Sequence, residues 1–276
     1  MRIGIFAKTF DGRSASAVLS AVKHAGYDCA QYNMACSGLG ALPDALDAAA
    51  ASAVRDASRA TSVEIAAISA TYNMIHPDPY VRERGRGAFA AIAGRAREMG
   101  AGLLTVCTGS HDPFDQWRHH PDNSSPAAWR AMCGEFEHLL DIAERFDIAI
   151  GVEPELANVV SSARRAREML DELQSERIRI VLDAANLFEV ETPERRKSIV
   201  DQAVDLLGDA IALAHAKDRL ADGGFACAGA GVIDFAHYFA ALRRVGFDGS
   251  VITHGLTATE APQVAQFLRR AVAAAP

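Results

Sequence analysis

The stretch DIAIGVE, residues 147–153, is an apolar run that closes on the acidic side chain of Glu153. Apolar runs of this length are typical of strands buried inside a parallel sheet. Three further runs of the same kind follow along the chain: RIRIVLD (177–183, ending in Asp183), AIALAH (210–215, ending in His215) and GSVITH (249–254, ending in His254). Each run is followed by a stretch with helical spacing, and this alternation predicts parallel strands with helices outside them.

The first half of the chain carries four similar runs, so the sequence contains eight strand candidates. They occupy residues 2–6, 28–33, 63–69, 102–108, 147–153, 177–183, 210–215 and 249–254. Eight strand–helix units favour an α/β fold, a single (β/α)8 TIM barrel domain over residues 1–276, with its active site at the C-terminal ends of the strands. A doubly wound open sheet is the alternative, but no GxGxxG motif follows the first strand.

Composition and charge limit the classes of partner. Half of the residues are apolar and 23% are charged, which is ordinary globular composition. The net charge of −7 argues against a nucleic-acid partner. No apolar run approaches the ~20 residues of a membrane span, and the N-terminal run is interpreted as a strand, not a signal peptide. We therefore expect a cytoplasmic protein without membrane or nucleic-acid partners, and the sequence is compatible with a homo-oligomer.

The side chains that end the four later runs suggest a metal site. Because neighbouring strands lie about 4.8 Å apart, Glu153, Asp183, His215 and His254 can converge on one ion. Each alone has an ordinary explanation as a buried acid, a turn cap or a core histidine. Their joint occurrence favours a cation, because buried unpaired charges are expensive. We expect one divalent metal ion, manganese first, with zinc, iron, cobalt or magnesium as alternatives.

One connection is unusually long. Residues 109–123, between the fourth strand and its helix, reach the length of about 12–15 residues above which loops in compact domains are usually functional. The loop carries Trp117 and Arg118, a candidate sugar platform and a candidate anion contact. We expect this loop to be a mobile lid over the barrel mouth, with Trp117 in contact with the substrate.

Four segments carry a resemblance to a known family: YNMIHPD (72–78), GVEPE (151–155), VLDAANLF (181–188) and HAKD (215–218). Through them, and along essentially the whole chain, the sequence resembles the sugar phosphate isomerase/epimerase-like family of xylose-isomerase-like TIM barrels. The resemblance implies that Glu153, Asp183 and His215 bind a divalent metal. The fourth ligand of the family is a glutamate, and this chain has His254 there. That departure argues against epimerisation by two glutamate bases.

Further candidate residues flank the metal ligands. Glu153 would act as the base, and Lys217 or His76 would shuttle a hydroxyl proton. Lys217 shares the inward face with His215 if the strand continues, although an ion pair with Asp218 or Glu155 is equally consistent. Candidates for substrate binding are Asn73, Trp117, Arg118, Asn186 and Asp218.

Several of these residues also have plain structural interpretations. Asn186 is as consistent with capping a loop as with binding a substrate hydroxyl, and His76 with a turn before Pro77. The segment Gly229-Ala230-Gly231 could cradle a phosphate through its backbone N–H groups, but such a motif is more often a simple turn.

The favoured function is a divalent-metal-dependent isomerase, or epimerase, of a small sugar, sugar acid or sugar phosphate, with proton transfer through an enediolate. A lyase or dehydratase that eliminates a β-substituent is the enzymatic alternative, since it needs only one base. A non-catalytic metal- or sugar-binding barrel is the alternative from another class. An endonuclease is disfavoured by the acidic balance of the chain.

Overall fold

The computed structural model describes residues 1–275 and closes eight parallel strands into a barrel. The strands are β1 (Arg2–Phe6), β2 (Cys29–Tyr32), β3 (Glu64–Ser69), β4 (Leu103–Val106), β5 (Ala149–Val152), β6 (Ile178–Asp183), β7 (Ile211–Arg219), β8 (Phe225–Cys227) and β9 (Ser250–Thr253). All except β8 belong to the barrel, which closes because β9 pairs with both β7 and β1. The predicted (β/α)8 TIM barrel is confirmed.

Eight α-helices of the described chain alternate with these strands. They are α1 (Ala15–His24), α2 (Ala48–Thr61), α3 (Pro79–Ala96), α4 (Pro126–Phe146), α5 (Ala163–Leu173), α6 (Pro193–Leu207), α7 (Phe235–Arg244) and α8 (Ala261–Ala274). Each helix buries apolar side chains against the strands, as Leu19 of α1 and Phe89 of α3 do. Among residues 1–275, no helix has both the length and the apolar content that a bilayer span requires.

The end of β7 differs from the sequence prediction. The strand continues past His215 to Arg219, because Lys217, Asp218 and Arg219 pair with the antiparallel strand β8. Phe225–Cys227 is too short to show a strand pattern in the sequence. The extension has one consequence for the site: Lys217 lies two residues beyond His215 in a continuous strand and therefore shares its face.

The register of the barrel brings the polar strand ends together. Asp183 on β6 pairs with His215 on β7, and His215 pairs with Ile252 on β9. His254 lies two residues beyond Ile252, so it points to the same side of the sheet. Glu153 directly follows β5, the strand that neighbours β6. Four consecutive barrel strands thus deliver their terminal side chains to one sector of the C-terminal face.

Candidate active site

Four side chains meet at the C-terminal mouth of the barrel. Glu153, Asp183, His215 and His254 each place a ligand atom within 4.8 Å of the others. Nδ1 of His215 lies 3.2 Å from Oε1 of Glu153, and Nε2 of His254 lies 3.1 Å from Oδ2 of Asp183. The predicted convergence of these four residues, called the cluster below, is confirmed.

Gln31 on β2 orients the imidazole of His215. Its amide nitrogen donates to Oγ1 of Thr105 at 3.0 Å, and its Oε1 lies 2.8 Å from Nε2 of His215. In the neutral ring, Nε2 donates to this oxygen and the lone pair is on Nδ1, which faces Glu153. Metal-binding histidines usually have the other ring nitrogen hydrogen-bonded in this way.

The two carboxylates of the cluster are also held in place. The backbone N–H of Ala185 donates to Oδ1 of Asp183 at 2.9 Å, which leaves Oδ2 facing His254. The side-chain amide of Asn186 donates to Oε1 of Glu153, also at 2.9 Å. Two oriented carboxylates with two imidazoles form a donor set that suits a divalent transition-metal ion. The cluster could therefore hold one metal ion.

Charge interactions inside the cluster set its ionisation in the metal-free protein. Burial raises the pKa of the Asp183 carboxyl, but the adjacent Lys217 and His254 outweigh burial and bring it well below its usual range. Burial opposes ionisation of Glu153 as well, yet His215 brings its pKa below the usual value. Burial lowers the pKa of His254. Burial opposes protonation of His215, but the adjacent Glu153 raises its pKa above the usual value, so a metal ion would displace a proton from His215. The carboxylates and His254 are already in the forms that bind a metal.

Lys217 extends from the face of β7 that carries His215. Its Nζ lies 2.9 Å from Oδ1 of Asn186 and 3.6 Å from Oδ2 of Asp183. The same nitrogen lies 3.8 Å from the centre of the Phe225 ring on β8, a cation–π distance. Its ion-pair partner is therefore Asp183. The alternative pairing with Asp218 or Glu155 is not observed.

A cavity of about 500 Å³, called the inner cavity, adjoins the cluster. Its wall includes Glu155 and Lys217, together with the aromatic side chains of Trp117 and Phe225. Burial and the neighbouring Glu153 raise the pKa of the Glu155 carboxyl to about 7. The volume lies within the range of about 300–1,000 Å³ found for small-molecule sites.

The loop of residues 109–123 lies at the mouth of the barrel, and Trp117 and Gln116 line the inner cavity. Side-chain amides fix its base. Asn73 accepts from the backbone N–H of Ser110 at 3.0 Å and donates to the carbonyl of the same residue at 2.8 Å. Asn158 donates to the carbonyl of Gln116 at 2.9 Å. These bonds hold the loop in this conformation, and a mobile lid stays a prediction; Phe114 at the tip is 89% exposed.

Six predicted site residues do not line the inner cavity: Asn73, His76, Arg118, Asp183, Asn186 and Asp218. Nε2 of His76 lies 3.1 Å from the carbonyl oxygen of Pro113, and its Nδ1 accepts from the backbone N–H of Asp78 at 3.0 Å, so both ring nitrogens are engaged in a loop. Arg118 pairs with Asp112 at 3.3 Å. Asn73 anchors the long loop. Asn73 and His76 instead line a neighbouring cavity at the barrel mouth, so their roles, like that of Arg118, stay predictions.

Asp218 is also placed differently from the prediction. It is fully buried, and its carboxylate accepts hydrogen bonds from four backbone N–H groups, those of Arg219, Gly229, Gly231 and Ile233. A carboxylate so occupied anchors the segment after β8 and has no contact with the inner cavity. The same bonds consume the N–H groups of Gly229 and Gly231, so these two donors are not free to cradle a phosphate.

Gln31 and Phe225 are among the site residues that the sequence did not predict. Gln31 is the polar residue in the otherwise apolar or aromatic β2 segment CAQY, and a buried polar side chain in a strand needs a partner, which was a usable signal. Phe225 gave no such signal, because only the hairpin between β7 and β8 brings it beside Lys217.

The fold is shared with solved structures of sugar epimerases and of a zinc-binding protein. A 3-keto-D-glucoside 4-epimerase, YcjR from E. coli, aligns with a TM-score of 0.76 at 16% identity, covering 98% of this chain and 99% of that chain. D-psicose 3-epimerase from Clostridium cellulolyticum H10, solved with D-tagatose, aligns at 0.75 and 14% identity, covering 99% of both. The IolI protein with a zinc atom aligns at 0.74 and 18% identity, covering 100% of this chain and 99% of that one.

No curated protein shows significant sequence similarity to the chain. The sequence profile described as xylose isomerase-like TIM barrel, however, matches residues 19–271. That match includes all barrel strands except β1, and every residue of the cluster. The chain therefore belongs to the xylose isomerase-like TIM barrel family.

Proposed function

We propose that the protein is a divalent-metal-dependent isomerase or epimerase of a small sugar, sugar acid or sugar phosphate. The observation that carries the proposal is the convergence of two carboxylates and two imidazoles beside a cavity of about 500 Å³. Two structural relatives support it, because they are epimerases of sugars, and a third holds zinc. Membership of the xylose isomerase-like family agrees with this class of chemistry.

The ion would be held by Glu153, Asp183, His215 and His254. Bound there, it would act as a Lewis acid that stabilises negative charge developing on a substrate oxygen. The mixed donor set suits manganese, which accepts carboxylates readily, and also zinc, iron or cobalt, which imidazoles favour; magnesium fits it less well.

Glu153 is the best-placed base. Its Oε1 is fixed by Asn186 at 2.9 Å, and its side chain lines the inner cavity. It would remove a proton from the carbon next to a carbonyl and return it to the neighbouring carbon. Lys217 would exchange the proton of the substrate hydroxyl, since Asn186 and Phe225 hold its ammonium at the cavity wall. Trp117 would cover the substrate from the loop.

One observation keeps β-elimination as a second candidate. His254 occupies the place of a second carboxylate and lies 3.1 Å from Asp183, so Glu153 is the carboxylate of the cluster that faces the cavity. A lyase or dehydratase needs only one base, and the same residues would serve it.

The test is proton exchange in deuterated water. We would load the protein with manganese or zinc, incubate it with ketoses, ketose phosphates and keto sugar acids, and follow deuterium incorporation and products by NMR. Isomerised or epimerised product supports the proposal, and loss of water or another substituent identifies the lyase. The Asp183→Asn variant should lose both metal and exchange, whereas Asp222→Asn, an exposed aspartate, should retain both. Stoichiometric metal without exchange on any substrate would indicate a non-catalytic barrel.

A further inference from the structure

A second cavity, of about 580 Å³, lies next to the inner cavity at the barrel mouth. We call it the outer cavity. Thr71, Gln116 and Trp117 line both cavities, so the two spaces adjoin at these side chains. A ligand bound beside the cluster could therefore extend past Trp117 into the outer cavity without leaving the mouth of the barrel.

The wall of the outer cavity is aromatic. Tyr72, Tyr80, Phe114 and Trp117 line it. Tyr80 is 65% exposed and Phe114 is 89% exposed, whereas aromatic rings in folded proteins are usually more buried. Of the nine large apolar side chains exposed among residues 1–275, four line this one cavity. Exposed apolar side chains that are clustered in this way often mark a binding site.

Hydrogen bonds hold this wall in place without a ligand. The hydroxyl of Tyr72 donates to Oε1 of Glu135 at 2.6 Å. The backbone N–H of Phe114 donates to Asp112 at 2.9 Å, and that of Trp117 donates to Asp115 at 2.9 Å. The rings are thus presented by an ordered loop, and a preformed wall costs less ordering entropy when a ligand binds.

Polar groups accompany the rings. Asp44 and Arg84, which lie 3.4 Å apart in an exposed ion pair, also line the outer cavity. Flat aromatic faces together with a few charged hydrogen-bonding groups in a concave site are what a sugar ring requires, since it has apolar C–H faces and hydroxyls at its edge. A flat interface between protein copies would not need this concavity.

We propose that the outer cavity is a subsite for the second ring of a glycoside whose reacting sugar occupies the inner cavity. The inference rests on the function proposed above and names its substrate class. Tyr80 and Phe114 are the residues that would determine specificity for the second ring, and Trp117 lies at the junction of the two subsites.

The test compares one-ring and two-ring ligands on the manganese-loaded protein by titration calorimetry. The one-ring probes are D-glucose and D-fructose, and the two-ring probes are cellobiose, maltose, lactulose and p-nitrophenyl β-D-glucoside. We expect at least one two-ring probe to bind about tenfold more tightly than its one-ring counterpart, the gain expected from an additional stacked ring. The nitrophenyl probe distinguishes an aromatic second ring from a sugar.

Tyr80→Ala and Phe114→Ala should each bring the ratio of two-ring to one-ring affinity close to one. Leu206→Ala is the matched control, because Leu206 is an exposed apolar residue of α6 that lines neither cavity. Equal affinities for one-ring and two-ring probes, or an affinity ratio that neither variant changes, would overturn the inference. Metal-dependent binding of a one-ring probe would still support the proposed function in that case. Two-ring binding that survives Asp183→Asn would count against the proposed function alone, and no sugar binding against both. If the protein is a dimer that Phe114→Ala dissociates, the exposed rings of the outer cavity form an interface between copies instead.

Discussion

The amide of Gln31 holds the imidazole of His215 across the interior of the barrel, with Oε1 2.8 Å from Nε2. Gln31 belongs to β2 and His215 to β7, and these strands are separated by β1 and β9. The contact fixes which ring nitrogen carries the proton and therefore which one can bind a metal. A cross-barrel hydrogen bond thus prepares the cluster for its ion.

We predict that Gln31→Met weakens metal binding about 10–100-fold, the usual cost of removing such a partner from a metal-binding histidine. Methionine has a similar length, so the barrel should keep its packing. Chelator competition followed by elemental analysis measures the affinity. Gln202→Met is the control, since Gln202 is exposed on α6 and bonds only to Ser198. An unchanged affinity in Gln31→Met would mean that Gln31 does not orient His215.

Lys217→Met should separate catalysis from metal binding. Nζ of Lys217 lies 3.6 Å from Oδ2 of Asp183, so it competes with a cation for that oxygen. Removing its charge should leave metal affinity unchanged or raise it a few-fold. Turnover should fall about 10²–10⁴-fold, as expected for a lost proton carrier. It would be measured on the substrate that the deuterium-exchange screen identifies.

The exposed Lys197, paired with Asp234, provides the control variant Lys197→Met. It should alter neither quantity. If Lys217→Met loses metal together with activity, Lys217 is a structural residue of the cluster and not a proton carrier.

Asp218→Ala is expected to destabilise the fold, because the change would leave four backbone N–H groups without their acceptor. Each buried donor left unpaired is costly, and we expect a loss of about 3–5 kcal/mol in the free energy of unfolding. Urea titration measures it. Asp222→Ala, an exposed aspartate that accepts one bond from Gly224, should change it by less than about 0.5 kcal/mol. If Asp218→Ala keeps normal stability but weakens substrate binding, Asp218 contacts the substrate as the sequence predicted.

The cluster was predictable from the sequence because its geometry follows from short-range rules. Apolar runs mark the strands, parallel strands end on one face, and the residue after each run lies at that face. Asp183 and His215 are therefore register partners, as the positions of their runs suggest. These rules need no knowledge of loops.

The contacts that the sequence did not predict involve residues whose partners come from distant segments of the chain. Asp218 lies on the same strand as His215, but its carboxylate accepts from backbone groups beyond β8, a strand too short to predict. The imidazole of His76 is engaged by Pro113 in another loop. Gln31 bonds to a residue 184 positions away. Hydrogen-bonded partners of this kind depend on loop conformations that apolar periodicity does not encode.

Tryptophan fluorescence should report ligand binding through Trp117. The chain has two tryptophans, and the second, Trp129, lies on α4 with the guanidinium carbon of Arg165 3.8 Å from its ring centre, away from both cavities. A change on adding sugar to the metal-loaded protein should therefore vanish in Trp117→Phe and persist in Trp129→Phe. The reverse pattern would show that the loop tip does not contact the ligand.

The replacement of a carboxylate by His254 leads to a prediction about stereochemistry. If Glu153 is the only base, the proton returns to the face of the substrate that it left, and the reaction should be isomerisation or elimination without inversion at one carbon. Glu153→Gln should then lower turnover about 10²–10⁴-fold when it is assayed at a metal concentration that keeps the cluster occupied.

His254→Glu should supply a second glutamate to the cluster, at the position where the family resemblance implies one. We expect this variant to gain weak inversion at one carbon, seen as a new epimer and as deuterium at that carbon by NMR. The unmutated protein is the reference. Clean inversion by the unmutated protein would mean that a second base is already present. His254 or Glu155 would then be that base, because both line the inner cavity together with Glu153.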